Sequence, residues 1–99
     1  MILAIDFDGV LCDNNNVRPG FTMGAPMEGA IEAMRTLKRQ GDTLIIHTVR
    51  GGRPQHVEDW LRHFGIPYDD ITNIKPNAAC FIDNNAIRFT SWSQVMQYL

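Results

Sequence analysis

The chain has 99 residues, of which 44% are hydrophobic, and its formal net charge at pH 7 is −2. This length predicts one domain, residues 1–99, with enough apolar side chains to build a core. The weak negative charge argues against bulk binding of nucleic acid, and no apolar run is long enough to predict a membrane span. Without a signal sequence, and with two cysteines outside any metal-binding spacing, the chain is expected to be cytoplasmic.

The first half of the sequence predicts two buried strands separated by a helix. The apolar run 2–5 is typical of a strand buried on both sides, and it ends abruptly in charged residues. Apolar residues at helical spacing over 27–40, followed by Gly41, predict a helix that ends at this glycine. Residues 42–48 form a second apolar run that again becomes polar at its end. A loop at 20–26 precedes the helix.

The second half continues the alternation. Pro54 suits the start of a helix that extends to Phe64 with one apolar stripe. Short strands are predicted at 71–74 and 78–82, and a closing helix at 91–99. This order predicts an α/β fold: a Rossmann-like three-layer sandwich with a mostly parallel sheet and helices on both faces. The segments between the predicted elements are too short for a cap domain.

Two carboxylates, Asp6 and Asp8, directly follow the first predicted strand. Ligands of open α/β sheets bind at this end of the strands, and side chains two residues apart on an extended chain point the same way. Crowded carboxylates repel unless a cation lies between them; Mg²⁺ accepts such ligands and keeps waters for a phosphate substrate. An Asp-rich turn without any ligand is the alternative interpretation.

Polar side chains follow the other predicted strands as well. Thr48 and Arg50 come after the second strand, Lys75 after the third and Asp83 after the fourth. Each has a structural explanation when taken alone: Thr48 as a strand-end or capping residue, Arg50 and Lys75 as solvated charges, and Asp83 as part of a turn. A parallel sheet would bring all of them to one edge, and this coincidence favours a functional site.

Four short motifs occur in a fixed order along the chain. They are D-F-D-G-V at 6–10, I-I-H-T at 45–48, K-P at 75–76 and F-I-D-N at 81–84. Together they resemble the motifs of the haloacid dehalogenase-like superfamily of phosphotransferases, over nearly the whole chain. The first motif is fairly specific, whereas the other three gain weight from their order. The runs H-T-V-R, W-L-R-H-F-G-I-P-Y and F-I-D-N-N-A-I are similar to a subgroup of small capless phosphatase-like proteins.

The resemblance implies a hydrolase of phosphoric monoesters that uses Mg²⁺. Asp6 would be the nucleophile and would form an aspartyl-phosphate intermediate. Asp8 would act as the general acid toward the leaving oxygen and then as the base toward water. Mg²⁺ would be held by Asp6, by the backbone carbonyl of Asp8 and by Asp83.

The resemblance also implies how the phosphate is bound. The Thr48 hydroxyl and nearby backbone N–H groups, Val49 among them, would hold the phosphoryl oxygens, and Lys75 would offset negative charge. Arg50, and with it Arg53, would contact the leaving group or a second phosphate. Without a cap the site would be open, so its substrate is expected to be a phosphorylated small molecule or an exposed phosphate on a larger molecule. The loop at 12–26 is the candidate flap.

Two positions depart from the family pattern. Asn84 stands where close relatives often carry a second Asp, which removes one charge near the metal, and Val49 stands where Ser is frequent. Asn84 motivates an alternative function, a non-catalytic or weakly active phosphate-binding or regulatory module on the same fold. A phosphoacceptor receiver domain is a third candidate. It is disfavoured because receivers carry the phosphorylated Asp on a later strand.

Overall fold

The structure is a computed structural model that describes residues 1–15, 17, 23–49, 54–74, 80–83 and 87–99. These residues form five strands and three helices. In chain order they are β1 (Ile2–Asp6), α1 (Ala30–Arg39), β2 (Thr43–His47), α2 (Pro54–His63), β3 (Asp70–Thr72), β4 (Cys80–Asp83), β5 (Ile87–Arg88) and α3 (Trp92–Tyr98). Among the described residues, no helix has the length and apolar character needed to cross a membrane.

The five strands form one sheet in the order β3-β2-β1-β4-β5, and every neighbouring pair is parallel. The chain moves outward from β1 through β2 to β3, then returns to the other side of β1 for β4 and β5. The predicted α/β class is confirmed, with a Rossmann-like parallel sheet and no closed barrel.

The core lies on one face of the sheet. Leu3 and Ile5 of β1 pair in register with Leu44 and Ile46 of β2, and all four side chains are fully buried. Buried residues of α1, α2 and α3 belong to the same core cluster. The two crossovers from β1 to β3 run in the same direction, and right-handed connections therefore place α1 and α2 on one face. Since α3 packs on α1, all three described helices share this face, and the helices expected on the opposite face are not among them.

Some element boundaries differ from the sequence-based prediction. The first helix begins at Ala30 rather than at residue 27, because the Met27 N–H donates to the Leu11 carbonyl at 2.7 Å and Gly29 has a φ of 81°. The third strand ends at Thr72, whose side chain accepts a hydrogen bond from the Ile74 N–H at 3.0 Å and turns the chain. The strand β5 was not predicted, since two residues are too few for a periodic signal.

Asp69 forms stabilising hydrogen bonds at the edge of the sheet where the strands begin. Its carboxylate accepts hydrogen bonds from the Leu44 N–H at 2.8 Å and from Lys38 Nζ at 2.6 Å and 2.7 Å. The Leu44 hydrogen bond, and after it the Lys38 ammonium, lowers the pKa of the Asp69 carboxyl from its ordinary value of 3.8. One side chain thereby joins β2 to α1 at the edge opposite the predicted site.

Candidate active site at the carboxyl edge of the sheet

The strand order predicts a crevice at the carboxyl ends of β1 and β4. The chain leaves β1 toward β2 on one side, while β4 and β5 lie on the other side. Open α/β sheets bind ligands where the strand order reverses in this way, outside the carboxyl ends of the strands. Asp6 is the last residue of β1, so the first predicted site residue lies at this crevice.

Asp6 has a partner that the motifs did not indicate. It pairs in register with His47, the last residue of β2, and His47 Nδ1 lies 3.1 Å from Asp6 Oδ1. The side chains of Asp6 and His47 are 35% and 20% exposed, so the contact is partly shielded from water. Because β1 and β2 are parallel and in register, the two side chains leave the sheet on the same face.

A tight turn follows β1 and carries the second carboxylate, Asp8. The Phe7 carbonyl accepts hydrogen bonds from the N–H groups of Leu11 and Cys12, both at 3.0 Å, and the Gly9 N–H donates to the Cys12 carbonyl at 2.9 Å. Gly9 has a φ of 78°, a conformation that residues with a Cβ rarely adopt. The turn therefore depends on a glycine directly after Asp8.

Burial alternates across this turn. Phe7 is fully buried, while Asp6 and Asp8 on either side of it are half-buried. The Phe7 ring packs edge-on against Trp60 of α2, with the ring centroids 5.0 Å apart. This alternation agrees with the prediction that the two carboxylates lie on the same side of the chain. The core contact of Phe7 fixes the backbone between them.

Thr48 lies immediately after β2. It is only 8% exposed, and its N–H donates to the Thr72 carbonyl at 3.0 Å. This hydrogen bond continues the pairing of β2 with β3 by one residue and anchors the segment that follows. Val49 next to it is 78% exposed.

Asp83 ends β4, directly beside β1. The register pairs Ile5 with Ile82, so one residue further along each strand come Asp6 and Asp83. The backbone of Asp83 therefore lies beside that of Asp6, and the side chain of Asp83 is outside the described part of the structure. The predicted site residues Arg50, Arg53 and Lys75, and also Asn84, lie outside the described residues.

The base of the candidate flap is closed by hydrogen bonds. Cys12 pairs with Pro26 in an isolated antiparallel bridge, and the Asp13 N–H donates to the Ala25 carbonyl at 2.8 Å. The indole N–H of Trp60 donates to the Gly24 carbonyl at 2.9 Å. The two ends of the candidate flap are therefore held together beside the turn that contains Asp8.

The described oxygen atoms at this edge are of the kind that can ligate a hard cation. Asp6 and Asp8 offer carboxylate oxygens, and carboxylates and backbone carbonyls are the ligands that Mg²⁺ accepts. Among the described residues, no group of three or more His, Cys, Asp or Glu side chains is close enough to hold a metal ion. The predicted metal site also needs the side chain of Asp83, which is outside the described part of the structure, so the described residues supply an incomplete set of ligands.

His47 is the residue that sequence reasoning missed. It is a polar residue that follows three apolar residues at the end of β2, and it immediately precedes the predicted phosphate-binding threonine. A partial signal was present, because both apolar runs end in a polar residue, Asp6 in the first and His47 in the second. Aligning the two strand ends would have placed His47 beside Asp6.

The chain has two cysteines, Cys12 and Cys80. Cys12 is buried and Cys80 is half-buried at the start of β4. Burial raises the pKa of the Cys80 thiol, which keeps it protonated and therefore weakly nucleophilic.

No protein-family model and no curated protein matches the sequence. A solved structure of a conserved protein from Bacteroides thetaiotaomicron is similar, with a TM-score of 0.77 and 22% sequence identity. The match covers 98% of this chain and 87% of that chain. This likeness shows a shared fold over nearly the full length of both chains.

Proposed function

We propose that the protein is a Mg²⁺-dependent phosphoric monoester hydrolase of the haloacid dehalogenase-like type, acting through an aspartyl-phosphate on Asp6. The observation that carries the proposal is the position of Asp6 and Asp8. Asp6 ends the central strand and Asp8 follows in the turn after it, at the point where the strand order reverses, beside the end of β2 and the end of β4. This is where an open α/β sheet binds its ligand.

The first step would be attack by an Asp6 carboxylate oxygen on phosphorus. A bond forms between that oxygen and phosphorus while the bond from phosphorus to the ester oxygen breaks. Asp8, held by the turn after β1, gives its proton to the leaving oxygen, so the alcohol departs neutral. The buried Phe7 between the two residues keeps the nucleophile and the acid at a fixed separation along the backbone.

The second step would hydrolyse the intermediate. Asp8, now a carboxylate, takes a proton from a water molecule that attacks phosphorus, and the bond from phosphorus to Asp6 breaks. Inorganic phosphate leaves, and both side chains return to their starting protonation. The low exposure of Thr48 suits a hydroxyl that donates to a phosphoryl oxygen without competition from bulk water.

Asp6, the carbonyl of Asp8 and Asp83 would hold Mg²⁺ in this proposal. When bound, the ion offsets negative charge so that an anionic carboxylate can approach an anionic phosphate. Lys75 would add a second positive charge from the sequence that follows β3. The proposed substrates are phosphorylated small molecules or exposed phosphates on larger molecules, and the proposed location is the cytoplasm.

Turnover of p-nitrophenyl phosphate with and without Mg²⁺ tests the proposal. Wild type should release p-nitrophenol only with the ion, and Asp6→Asn should release none while keeping its far-ultraviolet circular dichroism. A screen of phosphorylated metabolites and nucleic-acid ends would then define the substrate class. If wild type binds phosphate with Mg²⁺ but turns over no ester, the alternative of a non-catalytic phosphate-binding module becomes the better account.

A further inference from the structure

We infer that His47 is a positioning residue for Asp6: its Nδ1–H holds Asp6 Oδ1, so that Oδ2 is the oxygen presented to phosphorus. The inference rests on the proposed phosphatase function. It gives a role to a residue for which the sequence motifs imply none.

The geometry defines the direction of this hydrogen bond. His47 Nδ1 and Asp6 Oδ1 are 3.1 Å apart. An ionised carboxylate can only accept, so the imidazole must carry its proton on Nδ1 and donate it. Both side chains are partly buried, which strengthens the hydrogen bond relative to one in open water.

Orientation matters because the carboxylate of an aspartate rotates easily about its last torsion. Efficient attack needs the reacting atoms aligned and about 3–3.5 Å apart. The hydrogen bond from His47 removes this freedom by fixing one of the two oxygens. His47 also accepts a hydrogen bond at its backbone carbonyl from the Phe7 N–H at 3.0 Å, so one residue fixes both the Asp6 side chain and the backbone that follows it.

His47 takes no proton in the step it supports. Asp6 Oδ2 forms the bond to phosphorus as the ester bond breaks, and Asp8 supplies the proton to the leaving oxygen. His47 keeps its Nδ1 proton throughout. It therefore acts through Asp6 and does not contact the substrate, which predicts a loss in kcat with little change in KM.

Three substitutions separate positioning from general support of the sheet. His47→Leu keeps much of the volume but has no donor. His47→Asn places an amide N–H close to the position of Nδ1, and His47→Gln places its amide further out. Thr43→Val is the control, because Thr43 lies at the other end of β2 on the same face of the sheet.

Steady-state kinetics on p-nitrophenyl phosphate with saturating Mg²⁺ give the first measurement. His47→Leu and His47→Gln should lower kcat by about 100-fold, the effect of a misplacement of about 1 Å. His47→Asn should stay within about tenfold of wild type, and the KM of every variant should stay within about threefold, since uniform binding is unchanged. Thr43→Val should match wild type, and thermal unfolding should show that each variant is folded.

Binding of beryllofluoride, a mimic of the phosphoryl group on a carboxylate, gives a second measurement by fluorine NMR. Wild type and His47→Asn should form the adduct with Mg²⁺, and His47→Leu should form it weakly. The inference is overturned if folded His47→Leu keeps the wild-type kcat, or if His47→Asn loses as much as His47→Leu. If wild type is active in those cases, the phosphatase proposal still holds. If wild type shows neither turnover nor the beryllofluoride adduct, both the phosphatase proposal and the positioning role of His47 are wrong.

Discussion

The indole N–H of Trp92 in α3 donates to the carbonyl oxygen of Val10 at 2.9 Å, across 82 residues of sequence. Val10 belongs to the turn that carries Asp8, and both Trp92 and Val10 are almost fully buried. The last helix therefore holds the turn after the first strand. This contact links a distant part of the chain to the proposed general acid.

Replacing Trp92 with Phe should test this link. The smaller ring fills much of the space but cannot donate, so the free energy of unfolding should fall by about 1–3 kcal/mol, the cost of leaving a buried carbonyl without its donor. Tyr98→Phe, an aromatic change at an exposed position of the same helix, is the control and should change little. Chemical denaturation of wild type and both variants measures their free energies of unfolding. If Trp92→Phe is as stable as wild type, the Trp92 hydrogen bond does not contribute to stability.

The Asp69 carboxylate predicts a pH dependence of stability. Its pKa is lowered in the folded protein, chiefly by the Leu44 N–H and then by Lys38. The charged form is thus favoured by folding, so its contribution is present above the ordinary value of 3.8 and is lost as the pH falls through the lower folded value.

Asp69→Asn should therefore be less stable than wild type at pH 7, and the difference should shrink below about pH 4 as the wild-type carboxylate becomes protonated. Asp59→Asn is the control, because the ion pair that Asp59 forms within the described part of the chain is an exposed one with Arg62 at 3.8 Å. Urea denaturation from pH 3 to pH 7 measures both. A difference that stays constant over this range would exclude the charge of Asp69 as its cause.

The predicted metal site requires Asp83. Asp83→Ala should greatly weaken Mg²⁺ binding measured by calorimetry, since one of three predicted protein ligands is lost. Asp70→Ala is a matched control, because Asp70 begins β3 at the opposite edge of the sheet from the carboxyl ends. Unchanged Mg²⁺ affinity in Asp83→Ala would place the metal elsewhere.

The substitution Asn84→Asp tests whether the absence of a carboxylate at position 84 makes the enzyme slow. We expect wild type to be a slow phosphatase and Asn84→Asp to be faster at limiting Mg²⁺, because an added carboxylate strengthens the hold on the ion directly or through a bound water. The gain should vanish at saturating Mg²⁺, where occupancy no longer changes. Rates of both proteins across a Mg²⁺ titration test this, and identical rates at every concentration would make Asn84 a neutral difference.

The sequence predicted the parallel sheet because buried strands have a strong local signal. The apolar runs of β1 and β2 end in polar residues, and these ends are where the structure places Asp6 and Thr48. The two-residue β5 could not be predicted, since its pairing with β4 depends on tertiary contact and not on local pattern.

The pairing of Asp6 with His47 was also not predicted, for a different reason. Each residue is visible in the sequence, but their contact depends on the register between β1 and β2, which is set by packing of the whole face. The same holds for the Trp92 hydrogen bond to Val10. Contacts between distant segments define how rigid the site is, and a single sequence contains little information about them.

Trapping the covalent intermediate would show whether Asp6 is the nucleophile. Wild type would be mixed with a labelled phosphoester and Mg²⁺, quenched in acid and mapped by mass spectrometry, with Asp6→Asn as the control. We expect phosphate on Asp6, sensitive to hydroxylamine as an acyl phosphate is, and none on the variant. Phosphate on another residue, or hydrolysis by wild type with no phosphorylated Asp6 at any time point, would contradict this expectation.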